Sequence, residues 1–365
     1  MALGTLVILG SGETAPNMVK VHRDALASLS PVNGVLLDTP FGFQENVPQL
    51  TEKILEYFST SLQVSLSPAS FRRVADSTDL DRARYVDAIA HANFVFAGPG
   101  SPSYAVAQWA PLQFGDVLHD VLRRDGVVTF ASAAALTLGK FTAPIYEIYK
   151  VGADPHWVDG LDLLGRLGLS CVVIPHYDNA EGQNHDTRFC YLGERRLRVL
   201  EDMLDDDVAT FGIDEHTAAI INFDARTMRV RGRGQAYWRV GGDTRVLGNE
   251  QEVSLDDLAT SAPRPPAVAT DTVVAADDDI DALAQQALQG GDIGVRAIAH
   301  LCRLAATGGT GYIDPTSLID GILAARSTAR ELKQFQLADQ LRDALVAGGV
   351  EIHDTPQGAT WSLRA

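Results

Sequence analysis

Ser132 is the residue of this chain whose setting most strongly suggests chemistry. It lies between a buried-strand pattern, 127–130, and a run of three alanines that begins a predicted helix. A serine at a sharp strand-to-helix turn presents its hydroxyl beyond the carboxyl edge of a sheet, where the next backbone N–H groups face any oxyanion. The position predicts a hydrolase nucleophile, although a strand end packed against a helix N-terminus would give the same pattern.

Two further residues could complete the proton relay that a serine nucleophile needs. Such a nucleophile requires a base within hydrogen-bond reach and a third group that orients the base. His176 ends a predicted strand and should project into the same crevice as Ser132, although a structural histidine is the alternative. Glu147 lies in an aromatic, apolar stretch, where a carboxylate is costly to bury without a partner. We predict His176 as the base and Glu147 as the orienting acid.

The elements that must position these residues follow from the alternation of short apolar runs with amphipathic helical patterns. This alternation predicts a doubly wound α/β fold with a mostly parallel sheet, in which ligands collect beyond the carboxyl ends of the strands. From about residue 218, shorter alternating segments predict terminal β-ribbons, 219–223, 228–231 and 236–240. The predicted strands are Leu6–Leu9, Gly34–Leu37, Phe94–Ala97, Val127–Phe130 and Cys171–Ile174, and the predicted helices include Val47–Thr60, Asp81–His91 and Gln113–Arg124.

Composition divides the chain into three parts. Residues 1–258 form the predicted α/β domain. Residues 259–279 are rich in Pro, Ala, Thr and Asp, cannot bury a core and are predicted to be a linker. Residues 280–365 are rich in alanine and leucine at helical spacing and predict a small C-terminal α-helical domain.

The bulk properties restrict the possible partners. A formal net charge of −17 over 365 residues argues against indiscriminate polyanion binding and fits neutral or cationic small substrates, or simply solubility. The three cysteines form no CxxC motif, which favours a reducing compartment. We find no apolar stretch long enough to cross a bilayer and interpret the N-terminus as a first strand. We therefore predict a cytoplasmic protein without a membrane partner or cofactor.

A metal site is the alternative suggested by a group of polar residues near His176. Asp178, His185 and Asp186 follow that histidine within ten positions. Their spacing matches no metal signature, and the prolines and glycines around them predict a loop rather than a ligand-bearing helix. We predict no metal.

Several motifs of the first two-thirds of the chain occur in a characteristic order. They are Gly98-Pro99-Gly100, Ser132 with its alanines, Glu147, Pro175-His176-Tyr177, Gly193-Glu194-Arg195-Arg196-Leu197 and Gly212-Ile213-Asp214-Glu215-His216-Thr217-Ala218. Together these motifs resemble peptidase family S51, which includes dipeptidase E and the cyanophycinases. The resemblance implies the class I glutamine amidotransferase-like fold.

The resemblance also implies a serine hydrolase that cleaves small peptides with an acidic P1 residue, or isopeptide-type bonds. It assigns Ser132 as nucleophile, His176 as base and Glu147 as acid. The amides of Gly100 and Ala133 would form the oxyanion hole. The substrate-binding residues predicted at this crevice are Glu13, Ser101, Asn179, Arg188 and Arg195, with a solvated helix face as the alternative for the arginines.

The strand-to-helix turn departs from the family pattern at two positions. The family commonly has Gly-x-Ser-Ala-Gly-Ala, whereas this chain places Phe130 and Ala134 at the two glycine positions. A large side chain at the first of these is predicted to crowd the turn. The loop Gly98-Pro99-Gly100-Ser101-Pro102 also lacks the polar side chain that the family has at its oxyanion site.

The last fifty or so residues carry the most specific string of the chain, Asp354-Thr355-Pro356-Gln357-Gly358-Ala359-Thr360-Trp361. It follows a helical pattern that Gly348-Gly349 ends, and the whole segment is very similar to the C-terminal anticodon-recognition tail of cysteinyl-tRNA synthetases. The synthetase's catalytic motifs are absent from the sequence. By resemblance, tRNA is implied as a partner, and the residues aligned with anticodon-contacting positions are Arg330, Phe335, Asp339 and Asp354.

Two hypotheses of different kinds follow. In the first, the chain is an S51-like serine hydrolase acting on a small peptide-like substrate. In the second, it is an inactive amidotransferase-like protein that binds tRNA or a protein through its C-terminal module. That module could equally be a folded dock for the first domain or for a second subunit, as in a homodimer.

Overall fold

A computed structural model describes residues 4–182 and 184–259 and a set of positions between 319 and 363. The chain divides into two compact units, Met1–Ala267 and Val268–Ala365. In the second unit the described positions are 319, 322–323, 326, 330, 338–339, 341–342, 345–346, 350–355 and 358–363. Nearly all of the predicted linker, 260–279, lies outside the described residues.

The first unit contains an eight-stranded and a four-stranded sheet. Its strands are β1 (Thr5–Leu9), β2 (Gly34–Leu37), β3 (Leu66–Ala69), β4 (Phe94–Ala97), β5 (Val127–Ala131), β6 (Phe141–Thr142), β7 (Val158–Asp159), β8 (Cys171–Ile174), β9 (Ala209–Ile213), β10 (Thr217–Asn222), β11 (Thr227–Gly232), β12 (Ala236–Val240), β13 (Asp243–Leu247) and β14 (Glu252–Ser254). The larger sheet has the order β14-β11-β10-β1-β5-β4-β2-β3. Strands β1 to β5 are mutually parallel, whereas β10, β11 and β14 are joined to the sheet and to each other by antiparallel pairing. The predicted mostly parallel α/β fold is confirmed.

The first unit has eight described α-helices, most of which connect parallel strands. They are α1 (Val19–Leu26), α2 (Val47–Tyr57), α3 (Asp79–Ala90), α4 (Pro102–Trp109), α5 (Phe114–Arg123), α6 (Leu163–Arg166), α7 (Gly193–Glu201) and α8 (Leu255–Ala259). Short 3-10 helices cover Pro16–Met18, Thr39–Phe41, Val74–Asp76, Ala110–Leu112 and Ser132–Leu138, and π-helical turns cover Phe58–Leu62 and Glu147–Val151. In the part of the chain that the structure describes, no helix is long and apolar enough to span a membrane.

The larger sheet has a hydrophobic core on each face, because successive residues of a strand point to opposite sides. In β5, Val128 and Phe130 belong to a core that includes residues of α3 and α5. Val127 and Ala131 belong to a second core that includes residues of α1 and α2. A strand that is buried on both faces is apolar throughout, which explains why these strands are continuous apolar runs in the sequence.

The predicted strand Cys171–Ile174 does form, but it belongs to the smaller sheet. As β8 it runs parallel to β9, with Ile174 opposite Gly212, and β12 and β13 extend this sheet in the order β13-β12-β9-β8. The predicted ribbons are divided between the sheets, since β10 and β11 join the larger one. The His176 amide donates to the Gly10 carbonyl at 3.2 Å, so the ends of β8 and β1 adjoin.

The second unit has helical positions among 319–346 and ends in a β-hairpin. The hairpin strands are β15 (Val350–Thr355) and β16 (Gly358–Leu363), which pair antiparallel with Val350 opposite Leu363. Its described core is formed by Ile319, Ile322, Leu323, Leu341, Leu345 and Val350, with Ile352 and Trp361 packed against them. The predicted α-helical domain therefore also carries two strands, and the string 354–361 includes residues of both.

Phe130 gives a test of the packing in the first unit. The ring is fully buried in the core that contains Trp109, 6.0 Å away between ring centroids, whereas Phe43 is 51% exposed. We expect Phe130→Ala to lower the free energy of unfolding by about 3–5 kcal/mol because it leaves a cavity, and Phe43→Ala to change it by less than about 1 kcal/mol. Urea denaturation of both variants measures the difference, and equal losses would contradict the packing.

Candidate active site

The turn after β5 holds Ser132 in an uncommon backbone conformation. The residue has φ = 57°, in the left-handed region, and begins the 3-10 helix Ser132–Leu138. A serine in this region costs free energy, and such outliers concentrate at functional sites. The residues after it are small and buried, so helix and strand approach closely enough to form a sharp turn. The geometry matches the strand-to-helix elbow of a serine nucleophile.

His176 lies directly against this serine. It follows β8, has φ = 48°, and its Nε2 is 2.6 Å from Ser132 Oγ. Its Nδ1 is 2.6 Å from Oε1 of Glu215. Because a carboxylate only accepts, Nδ1 carries the hydrogen and Nε2 is left to accept from the serine hydroxyl. This is the tautomer that a general base needs.

Glu215 is held in place by three contacts. Asn179 donates its side-chain amide to Glu215 Oε1 at 3.0 Å, and Asp178 accepts from the Glu215 backbone amide at 2.7 Å. The hydrogen bond from His176, followed by that from Asn179, holds the pKa of the Glu215 carboxyl below its usual range, against the effect of partial burial. The carboxylate is therefore kept ionised and fixed beside the imidazole.

The prediction that Glu147 orients the histidine is wrong, because Glu215 occupies that position. Glu147 lies in the π-helical turn Glu147–Val151, and its Oε1 accepts from Ser103 Oγ at 2.6 Å. The reason is topological. β8 pairs in parallel with β9, so the residue that follows β9 lies next to the residue that follows β8. The position of Glu215 just after the apolar strand β9 was a usable signal in the sequence. To use this signal, one would have to know that β9 is the neighbour of β8.

Of the two amides predicted to form an oxyanion hole, that of Ala133 directly follows Ser132. Ala133 is the second residue of the 3-10 helix, and the first N–H groups of a helix have no partner within it. Gly100 has φ = 151° and approaches Pro40 so closely that an added Cβ would lie 2.2 Å from the Pro40 carbonyl oxygen. Only glycine fits there, so the loop after β4 passes close to the segment after β2. Gly98 of the same loop meets the serine's strand, since an added Cβ there would lie 2.5 Å from the Ala131 carbonyl oxygen.

Phe130 does not crowd the turn as the sequence suggested. Its ring packs in the core that contains residues of α4 and α5. On a continued strand Phe130 and Ser132 would share a face, but β5 ends at Ala131 and the chain turns sharply there, so the ring does not point toward the serine. Ala134 is likewise fully buried. The large side chain is accommodated by the core and leaves the serine hydroxyl at the crevice.

The other predicted substrate-binding residues have different environments. Ser101 caps the N-terminus of α4 by accepting from the Tyr104 amide at 3.2 Å, and Asn179 contacts Glu215 as described above. Arg188 makes two bonds to the Asp186 carboxylate, at 3.0 and 2.9 Å, whereas Arg195 is exposed on α7. Burial raises the pKa of the Glu13 carboxyl, and the electrostatic influence of His176 partly opposes this shift.

The residues considered for a metal site have other partners. Asp178 accepts from the Glu215 amide, Asp186 binds Arg188, and His185 Nε2 is 3.1 Å from the Tyr149 hydroxyl. Among the residues that the structure describes, no group of three or more His, Cys, Asp or Glu side chains is arranged to hold a metal ion.

Of the residues proposed for tRNA contact, two have described side chains. Arg330 and Asp339 are exposed at helical positions. Asp354 lies in β15, opposite Ala359, and Phe335 lies outside the described residues.

Three comparisons with known proteins bear on this architecture. No family model matches the chain. The crystal structure of a peptidase from an acI-B1 Actinobacterium matches with a TM-score of 0.55 at 17% identity, over 69% of this chain and 97% of that one. This match shows that the chain shares the α/β fold of that peptidase.

Sequence relatives point instead to synthetases. The cysteine–tRNA ligase of Kocuria rhizophila is 30% identical over 183 residues, which is 48% of this chain and 36% of the ligase. That of Bifidobacterium longum is 54% identical over 48 residues, or 13% of this chain and 9% of the ligase. The chain therefore spans about a third or less of the length of these curated relatives.

Asp214, beside Glu215, gives a pH test of the site. It is 4% exposed, its Oδ2 accepts from the Gln235 amide at 2.8 Å, and its Oδ1 has no partner among the described residues. Burial, with smaller contributions from Asp178 and Glu215, raises its pKa from 3.8 to about 6. The folded state thus holds a proton that the unfolded state releases between these two pH values.

We expect the wild type to lose stability relative to Asp214→Asn as pH rises from about 4 to about 6, and the difference to level off above that range. Urea denaturation at a series of pH values measures this. The exposed Asp243→Asn serves as the control. A difference between wild type and Asp214→Asn that is independent of pH would show that Asp214 does not ionise as described.

Proposed function

We propose that the first unit is a serine-type hydrolase that cleaves a small peptide or isopeptide bond. The observation that carries the proposal is the continuous line of two 2.6 Å contacts from Ser132 Oγ through the imidazole of His176 to the carboxylate of Glu215. The left-handed backbone of Ser132 and the fold shared with a peptidase support it. The two contacts together form the arrangement that activates a serine hydroxyl.

The proposed reaction has two halves. Ser132 Oγ attacks the carbonyl carbon while its proton passes to Nε2 of His176, and Glu215 stabilises the imidazolium that forms. The oxyanion faces the amides of Gly100 and Ala133. The carbon–nitrogen bond then breaks, and the proton passes from His176 to the leaving amine. Water hydrolyses the resulting ester by the same proton transfers in reverse.

Labelling with an alkyl fluorophosphonate tests the nucleophile and its acid. We expect Ser132 to be modified with loss of fluoride, Ser132→Ala to prevent this, and Glu215→Gln to slow it by roughly a hundredfold or more, since the imidazolium loses its counter-charge. Intact-mass spectrometry and peptide mapping measure the rate and the position.

The exposed Glu52→Gln on α2 is the matched control and should label at the wild-type rate. A protein whose Ser132 stays unmodified, and which hydrolyses nothing in a dipeptide and isopeptide screen, would be an inactive member of the fold, as the second hypothesis holds.

We also propose that the second unit binds tRNA. Identities of 49–54% over 47–48 residues with cysteine–tRNA ligases support this, since the matches are about as long as the C-terminal segment that resembles the ligases' anticodon-recognition tail. Arg330 is exposed at a helical position in this unit. An arginine can stack on, or donate to, unpaired bases of an anticodon loop.

Filter binding with transcribed cysteine tRNA at low salt tests this proposal. We expect Arg330→Ala in the full chain to weaken binding by about fivefold or more, the effect of losing one base contact. Arg245→Ala, an exposed arginine of β13, should leave binding unchanged. Absence of binding, or equal weakening by both variants, would leave the module as a protein dock.

A further inference from the structure

Asn179 is a buried side chain that contacts the acid of the proposed relay. It is 1% exposed, and its Nδ2 donates to Glu215 Oε1 at 3.0 Å. The same oxygen accepts from His176 Nδ1 at 2.6 Å. A carboxylate oxygen has lone pairs for two donors, so the amide and the imidazole bind it together without competing. The position of the oxygen that the imidazole meets therefore depends on Asn179.

The orientation of the Asn179 amide follows from its other contact. Its Oδ1 accepts from the Glu181 backbone amide at 3.2 Å. A backbone N–H only donates, so the amide oxygen faces Glu181 and the NH2 group faces Glu215. Because the side chain is buried and bonded at both ends within the protein, it is not available to a substrate in the crevice.

Asn179 belongs to a short segment that also carries the base. Its backbone amide donates to the His176 carbonyl at 3.2 Å, and Asp178, between the two, accepts from the Glu215 backbone amide at 2.7 Å. Residues 176–179 thus contact Glu215 at three points, two on Oε1 and one on the backbone amide. The base and the acid are therefore joined directly by one segment of four residues, in addition to the pairing of the strands β8 and β9 that precede them.

Thr187 secures the backbone at Asn179. It is 3% exposed, and its Oγ1 donates to the Asn179 carbonyl at 3.4 Å and accepts from the Gly182 amide at 3.0 Å. Neither of these bonds reaches Glu215. Thr187 therefore stabilises the loop without adding a donor to the acid, which makes it a matched control for Asn179.

The chain then returns to the residue from which the loop began. The Cys190 amide donates to the His176 carbonyl at 3.1 Å. Phe189, Cys190 and Tyr191 have φ values of 61°, 55° and 67°, in the left-handed region. Three successive non-glycine residues in this region are costly, and such strain persists where the surrounding structure fixes a functional site. The loop that carries Asn179 is thus anchored at both ends beside the base.

From these contacts we infer that Asn179 is a positioning residue of the relay, which holds Glu215 Oε1 in line with His176 Nδ1. The inference rests on the proposed hydrolase function and adds a residue to its machinery. It replaces the contact with substrate that the sequence predicted for Asn179. Without the amide, the Glu215 carboxylate could turn away from the imidazole, so the activation of Ser132 would be reduced.

A double-mutant cycle tests whether Asn179 acts through Glu215. The rate at which an alkyl fluorophosphonate modifies Ser132 is measured by intact mass for Asn179→Leu, which has a similar shape and no donor. We expect this change to slow labelling by about tenfold or more in the wild-type background, the effect of losing a hydrogen bond to a charged group. In a Glu215→Ala background it should slow labelling by less than about twofold, because the acid is already absent. Thr187→Val should have the same effect in both backgrounds.

The pH dependence of the same labelling gives a readout that a purely structural role would not change. Asn179→Asp keeps the oxygen that binds the Glu181 amide, but once ionised it cannot donate to Glu215 and adds a negative charge near the imidazole. That charge favours the protonated imidazole, which cannot accept the serine proton. We expect the pH midpoint of labelling to rise by about one unit or more in this variant and to stay unchanged in Thr187→Val. Both variants keep the other ionisable groups around Glu215, which are Asp178, Asp214 and His216.

An unchanged pH midpoint in Asn179→Asp, or equal slowing by Asn179→Leu in both backgrounds, would overturn the inference and leave the hydrolase intact. Failure of the probe to modify Ser132 in the wild type would overturn the hydrolase and the inference together. Circular dichroism checks that each variant is folded. Asn179→Asp preserves the shape of the side chain and its contact with Glu181, so the pH measurement decides the question even if Asn179→Leu does not fold.

Discussion

The imidazole of His176 must meet partners on both ring nitrogens, and these partners belong to different sheets. Ser132 follows a strand of the larger sheet, whereas Glu215 follows a strand of the smaller one. The sheets therefore have to be fixed relative to each other within a few tenths of an ångström. Gly10, which follows β1 of the larger sheet, provides one connection, since its carbonyl accepts from the His176 amide after β8 of the smaller sheet. An added Cβ there would lie 2.0 Å from the Asp214 carbonyl oxygen.

The same constraint explains where the backbone is strained. Ser132 and His176 both adopt left-handed conformations, at φ = 57° and 48°, each of which costs on the order of 1–2 kcal/mol. Two such residues at one hydrogen bond would be unfavourable in a loosely packed region. Here they lie within two residues of the ends of β5 and β8, whose residues are buried, so the surrounding cores stabilise the strained turns. The strain is placed where it directs two side chains toward each other.

The sequence predicted the parts of this arrangement that depend on local pattern. Apolar runs marked β1, β2, β4, β5 and β8, and strand ends marked Ser132 and His176, because burial and turn chemistry act within a few residues. It did not reveal that β8 leaves the larger sheet to pair with β9, since strand pairing is a long-range property. The wrong choice of Glu147 follows from that gap. An acid's partner depends on which strands are neighbours, and no local pattern around Glu147 or Glu215 contains this.

The carboxylates around the serine show why residue type alone could not assign their roles. Glu215 receives hydrogen bonds from His176 and Asn179, which lower the pKa of its carboxyl, so it is a permanent anion suited to stabilise an imidazolium. Its neighbour Asp214 is more deeply buried and has one unbonded oxygen, so its pKa rises to about 6. The two adjacent acids thus lose their protons in different pH ranges, because burial dominates at Asp214 and the hydrogen bond from the imidazole dominates at Glu215.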